Sequence, residues 1–223
     1  MQIKQKTQTE FILIMACLMS LVALSIDALL PALNIIGIAV GTSSNSDSQL
    51  LITMIFLGLG LGQLVAGPLS DSFGRKPMVY VGFSIFVLAS IVCVYSTSLE
   101  MMIFGRILQG IGLSAPRTLS IAMVRDSYSG DYMARIMSFV VSIFIIVPVI
   151  APTIGKIMLD TFGWQSIFIS QLVFGAFVIF WFYKRQPETL KEIHRKKFRL
   201  SIFKTGTLEF LKHKDAVIYT LLS

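Results

Sequence analysis

Six long apolar segments constrain the fold of this 223-residue chain more than any other feature. An α-helix needs about 20 apolar residues to cross the hydrocarbon core of a bilayer. Hydrophobic residues make up 55% of the chain and charged residues only 14%, which excludes an ordinary soluble domain. We therefore predict an all-α integral membrane protein with six transmembrane helices. The predicted spans are 11–39, 49–70, 77–97, 100–124, 133–158 and 164–183.

The basic residues lie mainly in the gaps between the apolar segments, and this predicts the orientation of the chain. The net charge of +7 is spread over these gaps, so nucleic-acid binding is excluded as a function. If the N-terminus is cytoplasmic, most of the 19 Lys and Arg residues fall on the cytoplasmic side. The exceptions are Lys156, Arg106 and Arg117. We predict a multi-pass protein of the cell inner membrane whose N-terminus and tail are both cytoplasmic.

Composition divides the chain into successive parts. Residues 1–10 form the predicted cytoplasmic N-terminus, 11–183 the six-helix transmembrane bundle, and 184–214 a basic cytoplasmic central loop. This loop fits either a helix lying on the anionic inner leaflet or a mobile charged tether. Residues 215–223 turn apolar again, and we predict that they begin a truncated seventh helix.

A short charged turn separates the second and third apolar segments. Asp71 and Arg75 are four residues apart, so their side chains can meet across one helical turn. Gly74 lets the backbone reverse where a Cβ would clash. The order G-x-L-x-D-x-x-G-R-K resembles the loop signature of the major facilitator superfamily. The matching residues are Gly67, Leu69, Asp71, Gly74, Arg75 and Lys76.

This resemblance implies both a fold and a gate. The six helices would form the N-terminal half of a twelve-helix major facilitator fold, built from two inverted three-helix repeats. In the family, the charged turn acts as a latch on the cytoplasmic side. The alternative interpretation is an ordinary cytoplasmic turn, with Asp126 in a plain salt bridge at a helix end. Carried over to this chain, the gating residues would be Gly67, Asp71, Gly74, Arg75, Lys76 and, at the end of the fourth segment, Asp126.

Asp27 is the only carboxylate deep in the first apolar segment. A charged side chain at the centre of a bilayer costs roughly 2.5–3.5 kcal/mol or more, so Asp27 should face a cavity or a partner. It is a candidate proton carrier, and the alternative is a hydrogen-bonded residue that only fixes helix packing. Arg106 enters the fourth segment at a depth from which its side chain can reach Asp27. We therefore expect the two to pair if their helices are neighbours.

Arg106 also begins a polar face of the fourth segment. Gln109 lies three residues further on and shares that face, and Arg117 follows after close to three helical turns. The run R-x-x-Q-G-x-G, from Arg106 to Gly112, resembles the fourth-helix motif of proton-driven exporters, in which the arginine is tied to proton transfer. The resemblance implies a proton and substrate pathway along Asp27, Arg106, Gln109 and Arg117.

The fifth segment carries two prolines and a glycine in the run P-x-x-A-P-x-x-G, at Pro148, Ala151, Pro152 and Gly155. Prolines inside a membrane helix favour a bend and free backbone carbonyls. The run resembles the antiporter motif of the drug-exporting branch, in the form seen in relatives of bicyclomycin and chloramphenicol exporters. Ala151 and Lys156 depart from this pattern, since many exporters have glycine there.

These observations together predict proton-coupled efflux of drugs or small metabolites, with this chain as half of a complete transporter. The alternatives are a metabolite importer of the same fold and a truncated membrane protein that does not transport. The expected partners are a small-molecule substrate, protons, the lipid bilayer and the missing C-terminal half. We expect no enzymatic activity, no catalytic residue and no cofactor beyond the proton gradient. Cys17 and Cys93 lie in apolar segments without motif spacing, so no metal site or disulfide is predicted.

Overall fold

The computed structural model of the chain describes residues 7–42 and 45–195, and these residues are almost entirely helical. Residues 1–6, 43–44 and 196–223 lie outside the described part, and they hold most of the predicted N-terminus, much of the predicted central loop and the predicted start of a seventh helix. The helices are α1 Gln8–Asp27, α2 Leu33–Ala39, α3 Asn45–Phe73, α4 Arg75–Val94, α5 Leu99–Ser127, α6 Gly130–Phe162 and α7 Gln165–Arg185. Short 3-10 turns occupy Leu30–Ala32 and Glu192–His194.

Within the described residues, six helical stretches are long and apolar enough to cross a membrane, which confirms the predicted number of spans. The first stretch, Gln8–Ala39, combines α1, the 3-10 turn and α2, and each of α3 to α7 supplies one more. The first is the most enclosed by its neighbours, whereas α6 has most of its surface exposed.

The first span is broken just after Asp27. Pro31 has no backbone N–H and disfavours an α-helical residue before it, which favours an interruption of the helix at this point. The N–H of Leu29 donates to the carbonyl of Ile26 at 3.3 Å, in the tighter 3-10 pattern. The carbonyl of Ser25, which Leu29 would reach in a continuous α-helix, is thereby left without its backbone partner.

Small residues bring the helices close together around α5. A Cβ on Gly58 of α3 would lie 2.1 Å from the carbonyl oxygen of Ile107, and one on Gly62 would lie 2.3 Å from the hydroxyl of Ser114. Gly112 meets the backbone of α4 in the same way. Gly58 and Gly62, four residues apart on one face of α3, therefore form a surface for close helix packing.

Successive spans cross the bundle in opposite directions, so their ends gather at two levels. One level holds the start of α1, the α3–α4 turn, the α5–α6 turn and the end of α7, and we call it the Arg75 end. The opposite end holds α2, the α4–α5 turn and the α6–α7 turn. The charged turn thus lies at one end of the bundle, whereas Asp27 lies well inside it.

Candidate functional site

Arg75 is the centre of a charged cluster at the Arg75 end. Its Nη1 donates to Asp71 Oδ1 at 2.6 Å and to Ser70 Oγ at 2.5 Å, and its Nε donates to Asp126 Oδ2 at 3.0 Å. The side chain of Arg75 is only 11% exposed, and that of Asp126 is 19% exposed. The structure therefore joins three of the predicted gating residues in one hydrogen-bonded group that ties α3 and α4 to α5.

A third acidic residue, Glu188, which sequence reasoning missed, holds the start of α4. The carboxylate of Glu188 accepts the backbone N–H groups of Arg75 at 3.1 Å and Lys76 at 3.0 Å. These N–H groups lie in the first turn of α4, so they have no acceptor within the helix. A negative charge is favourable at this end of a helix. The first turn of α4 has no acidic residue of its own, and this absence is the signal that could have pointed to a distant acid.

Further hydrogen bonds connect the end of α7 and the chain after it to the charged cluster and the start of α4. Thr189 Oγ1 donates to Asp126 Oδ2 at 3.2 Å, and Lys76 Nζ donates to the carbonyl of Tyr183 at 3.2 Å. The beginning of the predicted central loop therefore packs against the charged cluster.

Two glycines of the predicted gating motif differ in what the structure requires of them. Gly74 has φ +103°, a conformation that residues with a Cβ rarely adopt, and a Cβ there would lie 2.7 Å from Glu188 Oε2. A Cβ at Gly67, in contrast, would have nothing within 4 Å of it. Packing within the described residues therefore explains the glycine at 74 and gives no reason for the one at 67.

Arg106 is completely buried between helices, and its partners differ from the predicted one. Its Nε donates to the carbonyl of Leu51 at 3.1 Å, its Nη2 to the carbonyl of Ser25 at 3.0 Å, and its Nη1 to Gln109 Oε1. Within the described residues no ion pair joins it to Asp27. The predicted Asp27–Arg106 pairing is therefore wrong for this conformation, although α1 and α5 are neighbours as that pairing requires.

The break in the first span explains this arrangement. The carbonyl of Ser25 loses its partner where α1 ends, and the guanidinium of Arg106 supplies the missing donor. A buried carbonyl needs such a partner, and a planar guanidinium can serve several acceptors at once. Arg106 thus acts on the backbone two residues before Asp27 and not on the carboxylate itself.

A buried amide chain extends from Arg106 across the bundle. Gln109 Nε2 donates to Ser90 Oγ of α4 at 2.9 Å and to Gln171 Oε1 of α7 at 3.2 Å. All three side chains are buried. Gln109 shares the face of Arg106 as predicted, but Ser90 and Gln171 were missed. A lone glutamine inside an apolar span was the available signal, because a buried amide needs hydrogen-bond partners.

Asp27 is partly exposed at the last position of α1, next to the close contact of Ala28 with α6. A Cβ on Gly155 would lie 1.9 Å from the carbonyl oxygen of Ala28, so only glycine permits this contact. Ala151, one turn earlier on α6, is also buried. Gly155 of the predicted antiporter motif therefore packs α6 against the residue that follows Asp27.

The remaining residues of that motif lie in an unbroken helix. Pro148 and Pro152 are partly buried within α6, which runs continuously from Gly130 to Phe162. Lys156 is exposed, and its Nζ lies 3.0 Å from Asp160 Oδ2. A long side chain at 156 is therefore accommodated without touching the bundle core.

Arg117 lies apart from both groups. It is partly buried and lines a cavity of about 430 Å³ between α3 and α5, near the Arg75 end. Thus the structure joins Arg106 to Gln109 and to the backbone carbonyl two residues before Asp27, and it gathers Asp71, Arg75 and Asp126 at the end of the bundle. No group of three or more His, Cys, Asp or Glu side chains positioned to hold a metal ion occurs in the described part of the chain.

Comparison with known proteins places this fold in a family. The model of the Major Facilitator Superfamily matches residues 15–223. The chain belongs to the major facilitator superfamily. It is 31% identical over 216 residues to a bicyclomycin resistance protein homolog of Haemophilus influenzae, which covers 97% of this chain and 54% of that protein. Over 136 residues it is 32% identical to the multidrug resistance protein MdtL of Salmonella paratyphi C, covering 61% of this chain and 34% of that relative.

A solved structure supports the same superfamily fold. The human organic anion transporter MFSD10 (TETRAN) superposes with a TM-score of 0.67 at 17% identity, covering 89% of this chain and 54% of that protein. At that identity the likeness shows the fold alone. This superfamily chain spans about half the length of the bicyclomycin resistance homolog and of MFSD10.

Proposed function

We propose that this protein, acting with a second half, exports drugs or small metabolites in exchange for protons, and that Asp27 carries the proton. The names of the relatives support the substrate class, since one is a bicyclomycin resistance protein homolog and another a multidrug resistance protein. The position of Asp27 at the break in the first span is the observation that carries the proposal.

The surroundings of Asp27 can connect its charge to helix packing. It ends α1, Ala28 beside it contacts α6 at Gly155, and Arg106 of α5 holds the carbonyl of Ser25. Losing or gaining a proton at Asp27 adds or removes a full charge where these helices meet. A change of charge at a bistable helix junction is a recognised way to bias a protein between two conformations.

Arg106 suits a role beside such a switch. Its charge is compensated in the described residues by carbonyl dipoles and an amide, without a carboxylate. A buried charge held in this way is sensitive to any new charge nearby, because the interior screens poorly. We infer that ionised Asp27 is stabilised by the positive field of Arg106 without a direct ion pair, and that Gln109 fixes the orientation of the guanidinium.

We propose that the Arg75 cluster is the latch of the same transport cycle. It joins the ends of three spans through charge-assisted hydrogen bonds, which are stronger than those between neutral groups. Breaking these bonds would let α4 move relative to α3 and α5. Glu188 extends the latch to the chain that follows α7.

We propose that the Arg75 end faces the cytoplasm and that the protein lies in the inner membrane. Arg75, Lys76, Arg125, Arg135 and Lys184 all lie near this end, whereas Lys156 lies toward the other. An excess of Lys and Arg marks cytoplasmic loops. Cysteine labelling from each side of intact cells would test the orientation.

A metabolite importer of the same fold is the second candidate, and a short membrane protein that does not transport is the third. Proteoliposomes holding the complete protein encoded by its gene separate these candidates. An imposed pH gradient should drive the cationic dye ethidium in the direction opposite to protons. Movement of dye together with protons would favour import, and no movement under any gradient would favour a protein without transport activity. Collapsing the gradient with a protonophore is the control.

A further inference from the structure

The cavity between α3 and α5 carries more positive charge than its own residues neutralise. It is lined by Gln63 of α3, Arg75 of α4, and residues of the last three turns of α5. The residues of α5 are Arg117, Thr118, Ile121, Ala122, Arg125 and Asp126. The lining thus holds three arginines and one carboxylate, and the cavity has a volume of about 430 Å³.

The one carboxylate of the cavity lining, that of Asp126, already accepts two hydrogen bonds. Asp126 Oδ2 accepts from Arg75 Nε at 3.0 Å and from Thr189 Oγ1 at 3.2 Å. Arg75 is further held by Asp71 on its other side. Among the residues that the structure describes, Asp71 and Asp126 thus form their ion pairs with Arg75, and neither forms one with Arg117 or Arg125.

Arg117 and Arg125 lack a carboxylate partner of this kind in the described part of the chain. Within the described residues neither forms an ion pair or a side-chain hydrogen bond, yet both line the cavity. Arg117 lies ten residues before Ser127, about 15 Å from the end of α5. An arginine at that depth is costly without a partner and marks a functional site.

The distance between Arg117 and Arg125 limits the size of a ligand that can contact both side chains. They are eight residues apart on one helix, about 12 Å along its axis. Thr118 and Gln63 add neutral hydrogen-bonding groups to the lining, whereas Ile121 and Ala122 add apolar surface. A guanidinium binds carboxylate and phosphate oxygens through paired N–H groups.

We propose that this cavity is a binding site for a phosphate or carboxylate group, held by Arg117 and Arg125. The group belongs either to a small organic anion or to the headgroup of an anionic lipid. The proposal concerns binding and does not depend on proton coupling at Asp27, so each can fail without the other.

Binding of phenyl phosphate tests this proposal, with phenyltrimethylammonium as a cation of similar size. Calorimetric titration would use the complete protein in nanodiscs of phosphatidylcholine. Phenyl phosphate should bind and phenyltrimethylammonium should not compete with it. Arg117→Gln and Arg125→Gln should each weaken binding by about tenfold or more, since each removes a hydrogen bond to a charged group. Arg135→Gln, which removes an exposed arginine of α6 outside the cavity, is the matched control.

Nanodiscs that contain phosphatidylglycerol distinguish the two sources of the anion. If a lipid headgroup occupies the site, phosphatidylglycerol should compete with phenyl phosphate, and Arg117→Gln should remove the competition. If a soluble anion is the ligand, the affinity should be the same in both nanodiscs. Either result supports the site. Binding that survives both arginine substitutions, or the absence of anion binding in correctly folded wild-type protein, would overturn it.

Discussion

Arg106 Nη2 donates to the backbone carbonyl of Ser25 at 3.0 Å and so replaces the helical hydrogen bond that is lost where α1 breaks before Pro31. The arginine is thereby fixed to the segment that carries Asp27 without touching its carboxylate. Two requirements follow. Only a planar guanidinium at position 106 can reach all the acceptors, and the break in α1 must remain packed against α6.

Arg106→Lys should reduce transport by about tenfold or more, even though the positive charge is retained. A lysine ammonium is a point charge and cannot reproduce the contacts of the planar guanidinium with Leu51, Ser25 and Gln109. The measurement is the initial rate of pH-driven ethidium transport in proteoliposomes. Arg135→Lys is the control for an exposed position. A normal rate for Arg106→Lys would show that only the charge matters.

Gly155→Ala should destabilise the bundle by about 1–3 kcal/mol, the usual cost of forcing an extra group into a packed core. The added Cβ would lie 1.9 Å from the carbonyl oxygen of Ala28, so α6 must move away from the break in α1. Thermal unfolding of the complete protein in detergent measures the change. Gly60→Ala is the matched control, because nothing lies within 4 Å of a Cβ at that position. Equal melting temperatures for the two variants would contradict the close contact.

Glu188→Ala should loosen the start of α4. The backbone N–H groups of Arg75 and Lys76 lose their acceptor, and their amides should exchange with deuterium faster than in the wild type. Hydrogen exchange followed by mass spectrometry on peptides that cover residues 70–80 provides the measurement. Glu192→Ala removes a 90% exposed carboxylate from the same stretch and should leave this exchange unchanged. Unaltered protection in Glu188→Ala would mean that the cap contributes nothing to the latch.

Asp71→Ala should slow the change of facing more than it weakens substrate binding. The cluster lies at the end of the bundle, away from Asp27, and losing one charge-assisted hydrogen bond should shift the populations of the two facings by on the order of 1–3 kcal/mol. Asp126→Ala should have the larger effect, because Asp126 is less exposed and also accepts from Thr189. Transport rates in proteoliposomes and ligand affinity in a conformationally locked variant separate the two effects. If weaker binding accounts for the whole loss of transport, the cluster is not a latch.

The number of spans and the presence of a close-packing surface on α3 could be predicted from the sequence, but not that α5 is the helix packed against this surface. The length of each apolar segment determines whether a helix can cross a bilayer, and small residues at helical spacing mark where helices meet. Gly58 and Gly62 are examples of such contacts. The association of Asp71 with Arg75 was also predictable, because four residues on a helix bring two side chains together.

The partners of Arg106 could not be predicted, for two physical reasons. A depth estimate assumes a continuous helix, whereas α1 ends at Asp27. In addition, every residue has a backbone carbonyl, so the residue types do not reveal that the carbonyl of Ser25 is the acceptor. The contact of Glu188 with Arg75 spans 113 residues and depends on how the chain after α7 returns to the bundle.

Substitution of Asp27 by asparagine is the most direct test of proton coupling. The amide keeps the volume of the side chain and removes the group that binds the proton. In proteoliposomes holding the complete protein, Asp27→Asn should abolish pH-driven accumulation of ethidium but retain exchange of labelled for unlabelled ethidium without a gradient. Asp160→Asn, at a 58% exposed carboxylate beside Lys156, should leave both activities intact. Accumulation of ethidium by Asp27→Asn at the wild-type rate under a pH gradient would contradict the role of Asp27 as the proton carrier.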